Sequence, residues 1–277
     1  MKKLISILLL LYLGLLLISC NKEETIISTK IPTSNVVSEK PNDGSTPLDY
    51  SVLENIAIAQ NVILNNPYYK TITTGTALTE MIIKNEQSVY AEKIVSNKNI
   101  LYHSITTSKY KTQAIQRYYN ENNFFIREGE VTSKTSATWS NNFDKHDYDF
   151  VYENLGYIPN GITGYIINDN SIIDSIVLEK ENFFYTVKLT LNPNIACEKT
   201  KLEIKFNADA LELPKYKSVE LTISMNENWQ VEQIIMHDIY ELKVKLGISI
   251  TAPIDSTITE NFYYDEVIIP EEYLNIF

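Results

Sequence analysis

Cysteine is nearly absent: Cys20 and Cys197 are the only two in 277 residues. A framework of several disulfides is excluded, and so is a zinc site built on paired cysteines. Histidine is also scarce, with only three, His103, His146 and His237. None is spaced from another as a local metal motif requires, and HExxH does not occur. The glycine-rich signatures GxSxG, GxGxxG and the Walker loop are missing from a chain with 8 glycines. Positive charge is in deficit, giving a formal net charge of -11. That balance argues against nucleic acid as a partner, because such binding relies on basic patches.

What is present begins at the amino terminus. Lys2 and Lys3 precede Leu4 to Leu17, a run that is apolar apart from Ser6, Tyr12 and Gly14. A basic start followed by a run of this length fits a secretory signal and is short for a membrane-crossing helix, which needs about 20 residues. Leu17-Ile18-Ser19-Cys20 resembles the lipobox of bacterial lipoprotein precursors. That resemblance implies a diacylglyceryl group on the Cys20 thiol, cleavage before Cys20, and acylation of the new amino terminus. An uncleaved amino-terminal membrane helix is the bland alternative. Each buried methylene contributes about 0.8 kcal/mol and two or more chains anchor stably, so the expected partner of Cys20 is the membrane.

Removing Lys2 and Lys3 with the signal shifts the charge by two, from -11 to -13. An acidic chain gains nothing from anionic headgroups, which leaves the lipid as the anchor. With Cys20 acylated, Cys197 has no partner and reads as a buried structural thiol. The expected organisation is a signal peptide at 1–19, a lipidated cysteine and disordered tether at 20–46, and one domain at 47–277. Residues 21–46 are mostly polar, with Pro32, Pro41 and an Asn42-Asp43-Gly44 turn signal. As a coil this tether spans about 28 Å. Lys22-Glu23-Glu24 resembles the acidic export signals of some surface lipoproteins. The location expected is extracytoplasmic, at the outer membrane or cell surface if the envelope has two membranes.

Thr46-Pro47 predicts a helix start, and Leu48, Val52, Ile56, Ala59 and Ile63 recur at helical spacing until Asn66-Pro67. Beyond residue 70 the pattern predicts strands at Ser88–Val95, Ile100–Thr106, Ala114–Tyr119, Asn123–Arg127, Ile176–Leu178 and Tyr185–Leu191. Residues 218–244 predict a hairpin about Asn226-Glu227-Asn228, and a final strand is expected over Ser256–Val267. Residues 194–208 alternate at both periods, and the helical reading is favoured. Residues 153–175 hold Gly156, Pro159, Gly161 and Gly164, and either divide two lobes or cover one sheet. The fold class expected is α+β: a strongly curved antiparallel sheet, a half-barrel, with a few covering helices.

This layout resembles the LolA/LppX-like lipoprotein-carrier fold. The likeness rests on Asn192-Pro193 before the late helix, on Leu213-Pro214-Lys215-Tyr216 leading into SVELTISM, and on WQVEQIIMHDIY and NFYYDEVIIP, within residues 47–277. It implies a lipid or other amphipathic small ligand held in an apolar cavity, although the same fold can be filled by its own side chains. The 19 tyrosines make such a cavity narrower and more polar.

Catalytic signals are weak. His237 and Asp238 are adjacent, and strand neighbours point to opposite faces. Asp144 to Asp149 is the densest acidic cluster, with calcium binding as the sharp reading and a solvated turn as the favoured one. Trp139 and Trp229 invite sugar stacking, but core packing outweighs it. No catalytic residue, metal or cofactor is expected. The leading function is non-enzymatic binding of an apolar or amphipathic ligand. The alternative is a surface interaction protein with no cavity, which a packed sheet face would favour.

Overall fold

The chain is described by a computed structural model over residues 40–41, 44–80, 84–109, 112–246, 248–265 and 267–274. The signal segment, Cys20 and most of the tether lie outside the described residues.

Two start signals follow one another at the head of the domain. Thr46 N–H donates to Asp49 Oδ2 at 2.8 Å, but this closes only a short 3-10 turn, Pro47–Asp49. Ser51 then opens α1 (Val52–Asn65), its hydroxyl accepting from Glu54 N–H while Glu54 Oε2 accepts from Ser51 N–H at 2.9 Å. This reciprocal cap satisfies two donors the first helical turn leaves free. The helix therefore starts later than the Thr46-Pro47 signal predicts. Leu48 is consequently 67% exposed, not part of the buried face. The face α1 buries is Asn55, Ile56, Ile58, Ala59 and Ile63.

The strands β1 (Tyr68–Glu80), β2 (Lys84–Ser96), β3 (Asn99–Ser108), β4 (Thr112–Tyr119), β5 (Phe124–Val131), β6 (Ala137–Trp139) and β7 (Asp144–His146) follow. Then come α2 (Tyr148–Asn154), β8 (Ile172–Leu178), β9 (Tyr185–Leu191), α3 (Pro193–Ala196) and α4 (Thr200–Ala208). Three long strands, β10 (Lys215–Met225), β11 (Val231–Leu246) and β12 (Ile248–Tyr263), precede α5 (Glu271–Leu274). About 50% of the chain is strand and 18% helix.

The 12 strands of the described residues belong to one open antiparallel sheet of order β6-β5-β4-β3-β2-β1-β12-β11-β10-β9-β8, with β7 also on β5. Two meanders thus meet where β1 pairs β12 in the middle. Gly75 sits opposite Ile258 at this seam. A Cβ there would lie 2.4 Å from the Thr257 carbonyl oxygen, so only glycine allows the approach. Two corrections follow for the sequence reading. The strand at 68–80 was hidden by threonines, which alternate without marking a buried face. The last strand begins at Ile248, eight residues before Ser256, because Pro253 is tolerated inside it.

One sheet face carries the main core. Tyr69, Val95, Ile100, Tyr119, Phe124, Val187, Leu189, Leu221 and Ile223 pack there against Ile58, Ala59 and Ile63 of α1, Val151 of α2 and Ala196 of α3. The residues between them point to the other face. Ile94, Leu101, Tyr118 and Phe125 form a second cluster there, closed by Ile269 with Phe143, Val267 and Tyr273. The 153–175 segment covers the single sheet: Ile162 is buried in the main core and Ile166 N–H donates to the Ala196 carbonyl at 2.9 Å. Gly156, at φ +82°, ends α2 in the left-handed conformation glycine favours.

Candidate functional site

Alternation places charge inside the helix-covered face. Lys93 shares a face with Ala91 and Val95, and Arg117 with Ile115 and Tyr119. Both are buried, at 5% and 2% exposure. Arg117 Nη1 donates to Glu203 Oε1 of α4 at 2.7 Å, and Nη2 donates to Asn207 Oδ1. Tyr157 donates to the other Glu203 oxygen at 2.7 Å, while Tyr102 lays its ring under the guanidinium. Lys93 Nζ lies 3.2 Å from Glu260. Burial alone would lower the Lys93 pKa, but Glu260 and Tyr69 outweigh it and hold the ammonium above the ordinary lysine value. The Arg117 and Tyr157 contacts pin α4 and the preceding segment to the sheet, while Lys93 and Glu260 tie two of its strands together. The sequence reading missed them; the signal available was their parity with apolar neighbours.

A second polar group lies under α3. Asp238 projects inward from β11, and one of its oxygens accepts a hydrogen bond from Tyr165. The other, Oδ1, is buried and has no hydrogen-bond partner among the described residues. Burial pushes the Asp238 carboxyl up to about 6, with Tyr165 and His237 opposing. Cys197 is free and fully buried. Burial, then the Asp238 charge, pushes its thiol up to about 12, so it is neutral and unreactive at ordinary pH.

The histidines stand apart on β3, β7 and β11. His103 Nε2 lies 3.1 Å from Glu92 Oε2 on the neighbouring strand. The His103 bond, joined by an ion pair from Lys70, holds the Glu92 carboxyl down to about 2 against burial. His146 stacks on Phe150 at 3.8 Å. His237 bonds Asp255 at 3.0 Å on the face opposite Asp238, as strand geometry requires.

The acidic run does not act as a unit. Asp147 caps α2 by accepting from Phe150 N–H at 3.1 Å, and Asp149 lies within the helix. The two do not share one strand face, as an extended reading would have them. With Lys145 and His146 they line an open depression of about 630 Å³. Among the described residues, no three His, Cys, Asp or Glu side chains converge as a metal site. Trp229 is 1% exposed in the core, and its indole N–H donates to Asn55 Oδ1 at 2.7 Å. Trp139 lies over Gly129 and beside His103. Buried Trp229 offers no open stacking platform, while Trp139 is half-buried at the end of the sheet.

The sheet's two ends differ. One is finished by short strands, β6 and β7, of 3 residues each. The other is β8, which among the described residues pairs only with β9. Ile173, Ile176 and Val177 of β8 are 65%, 52% and 53% exposed. Among the described residues this is apolar strand surface whose backbone edge pairs with no further strand, the Ser175 N–H being held by Asp174 Oδ1 at 2.9 Å.

No family model matches the chain, and no curated protein matches it. Among solved structures, it has a slight likeness to the crystal structure of MucB in complex with MucA(peri), at 6% identity over 74% of this chain and 91% of that one. The TM-score is 0.13. Among the described residues no helix is long and apolar enough to cross a membrane.

Proposed function

We infer that this chain is an extracytoplasmic lipoprotein, anchored to the membrane through acylated Cys20, that works by non-catalytic contact with another macromolecule. The observation that carries the reading is the filled helix-covered face. A lipid carrier of the LolA/LppX-like kind needs apolar space between sheet and helices. Here Ile58, Leu189, Leu221 and Trp229 occupy that place, each at most 1% exposed. Arg117 and Glu203 fix α4 across it. The open antiparallel sheet with few helices supports a strongly curved half-barrel whose helix-covered face is lined by the protein's own buried side chains. The alternative of a bound amphipathic ligand would require these groups to move apart. The three histidines lie on three different strands, and His237, between Glu220 at 3.6 Å and Asp255 at 3.0 Å, sits on the sheet face away from the helices.

Two measurements test this. Cys20→Ala should yield an unprocessed, unlabelled precursor whose domain still folds; mature-sized protein that still labels with a fatty-acid probe would sink the anchor. Titration of residues 21–277 with a fluorescent fatty acid should give no saturable uptake, and one-to-one binding would replace this reading with the carrier.

A further inference from the structure

Native sheets blunt their edges with short strands, charge or cover, since a bare edge pairs with other chains. This sheet follows the rule at β6 and β7 and departs from it at β8. The β8 strand is seven residues long, and its middle five residues are all exposed. It bulges at its start, between Ile172 and Asp174, and then runs in regular register with β9 to Leu178. Over that stretch Val177 shares a face with Val187, and Ile176 lies on the other face beside Lys188. An added strand would find apolar contacts on both faces and a row of outward backbone groups between, of which the Ser175 N–H is held by Asp174 Oδ1 at 2.9 Å and would have to be released.

The charges around the edge choose the partner. Asp169 precedes the strand, Asp174 lies in it, and Glu179 and Glu181 follow it, all exposed. The nearby cations are drawn elsewhere: Lys188 pairs with Glu220 at 3.0 Å, and Lys180 lies over the Phe183 ring. A second copy pairing antiparallel about Ser175 would set Glu181 opposite Asp169 of its partner at both ends, with Glu179 close by. Like charges facing across strands are destabilising. An anionic membrane surface meets the same repulsion.

We propose that the β8 edge binds an extended segment of another polypeptide by strand addition, and that this segment alternates β-branched apolar residues with lysine or arginine. Main-chain hydrogen bonds supply the affinity in such pairing, while side chains and charge supply the choice. The proposal deepens the interaction reading above and rests on it.

The probe is a fluorescein-labelled peptide of alternating lysine and valine, titrated by anisotropy into residues 21–277. Saturable binding that weakens with salt is expected, with at least ten-fold weaker binding of the same peptide carrying glutamate for lysine. The double variant Ile176→Lys, Val177→Lys changes only exposed side chains. It should keep the far-ultraviolet spectrum and lose binding at least ten-fold. Amide exchange should slow over residues 174–178 when the basic peptide is bound. Equal binding of the acidic peptide, binding untouched by the double variant, or a dimer in sedimentation that this variant dissolves would each overturn the proposal. Failure here alongside exclusion of the fatty-acid probe removes strand addition and leaves the wider interaction reading standing.

Discussion

Trp229 and Asn55 are 174 residues apart and joined by a 2.7 Å hydrogen bond in the core. Trp229 closes the β10–β11 turn at φ 58°, a left-handed conformation bulky residues rarely adopt. Asn55 is fully buried on α1, and its amide nitrogen donates to the Pro47 carbonyl at 2.8 Å and the Tyr50 carbonyl at 3.2 Å. One side chain therefore ties helix, entry turn and sheet together.

Trp229→Phe keeps most of the apolar contact and removes the indole donor. It leaves Asn55 Oδ1 buried and unpaired, which costs about 1–3 kcal/mol. The urea midpoint should fall accordingly with the slope unchanged. An unchanged midpoint would mean that this bond does not hold α1 to the sheet.

Arg117 and Glu203 should behave as a coupled pair. Glu203→Gln strands a buried guanidinium, and breaking such pairs typically costs about 3–5 kcal/mol. Because Glu203 keeps some solvent contact, the lower end is expected. The double variant Arg117→Met, Glu203→Leu should recover much of that loss, since an apolar pair avoids the desolvation cost. A double-mutant cycle of chemical denaturation measures the coupling. Additive losses would show that the pair is incidental.

Asp238 sets a pH dependence of known sign. Its carboxyl is raised from 3.8 to about 6 in the folded chain, so the folded state holds the proton more tightly than the unfolded one. Its contribution favours folding below about pH 4 and is lost as pH rises through 6. Asp238→Asn keeps an acceptor for Tyr165 and removes the titration. The variant's melting temperature relative to the parent's should therefore climb between pH 4.5 and 7, by up to about 3 kcal/mol in stability terms. A pH-independent difference would contradict the buried, ionising carboxylate.

What the sequence made legible was periodicity, and what it hid was partnership. Val219, Leu221, Ile223 and Met225 announced β10 and its buried face, and all four are fully buried. The β1 strand stayed hidden because Thr71, Thr73, Thr74 and Thr76 fit either face of a sheet. The charged core was present as inward parity at Lys93 and Arg117, yet parity alone names no partner. Glu203 and Glu260 come from a distant helix and strand, and only the assembled sheet brings them there. The exposed edge was similarly invisible, since IIDSIVL reads as an ordinary apolar strand until its position beside β9 alone is known.

The central claim is that the helix-covered face is filled by the protein itself. Native mass spectrometry of residues 21–277, purified from cells without detergent, tests it most directly. The account predicts the bare polypeptide mass, unchanged when phospholipid is offered. A reproducible extra mass that organic solvent removes would contradict it and would put a bound lipid where Trp229 and its neighbours are placed.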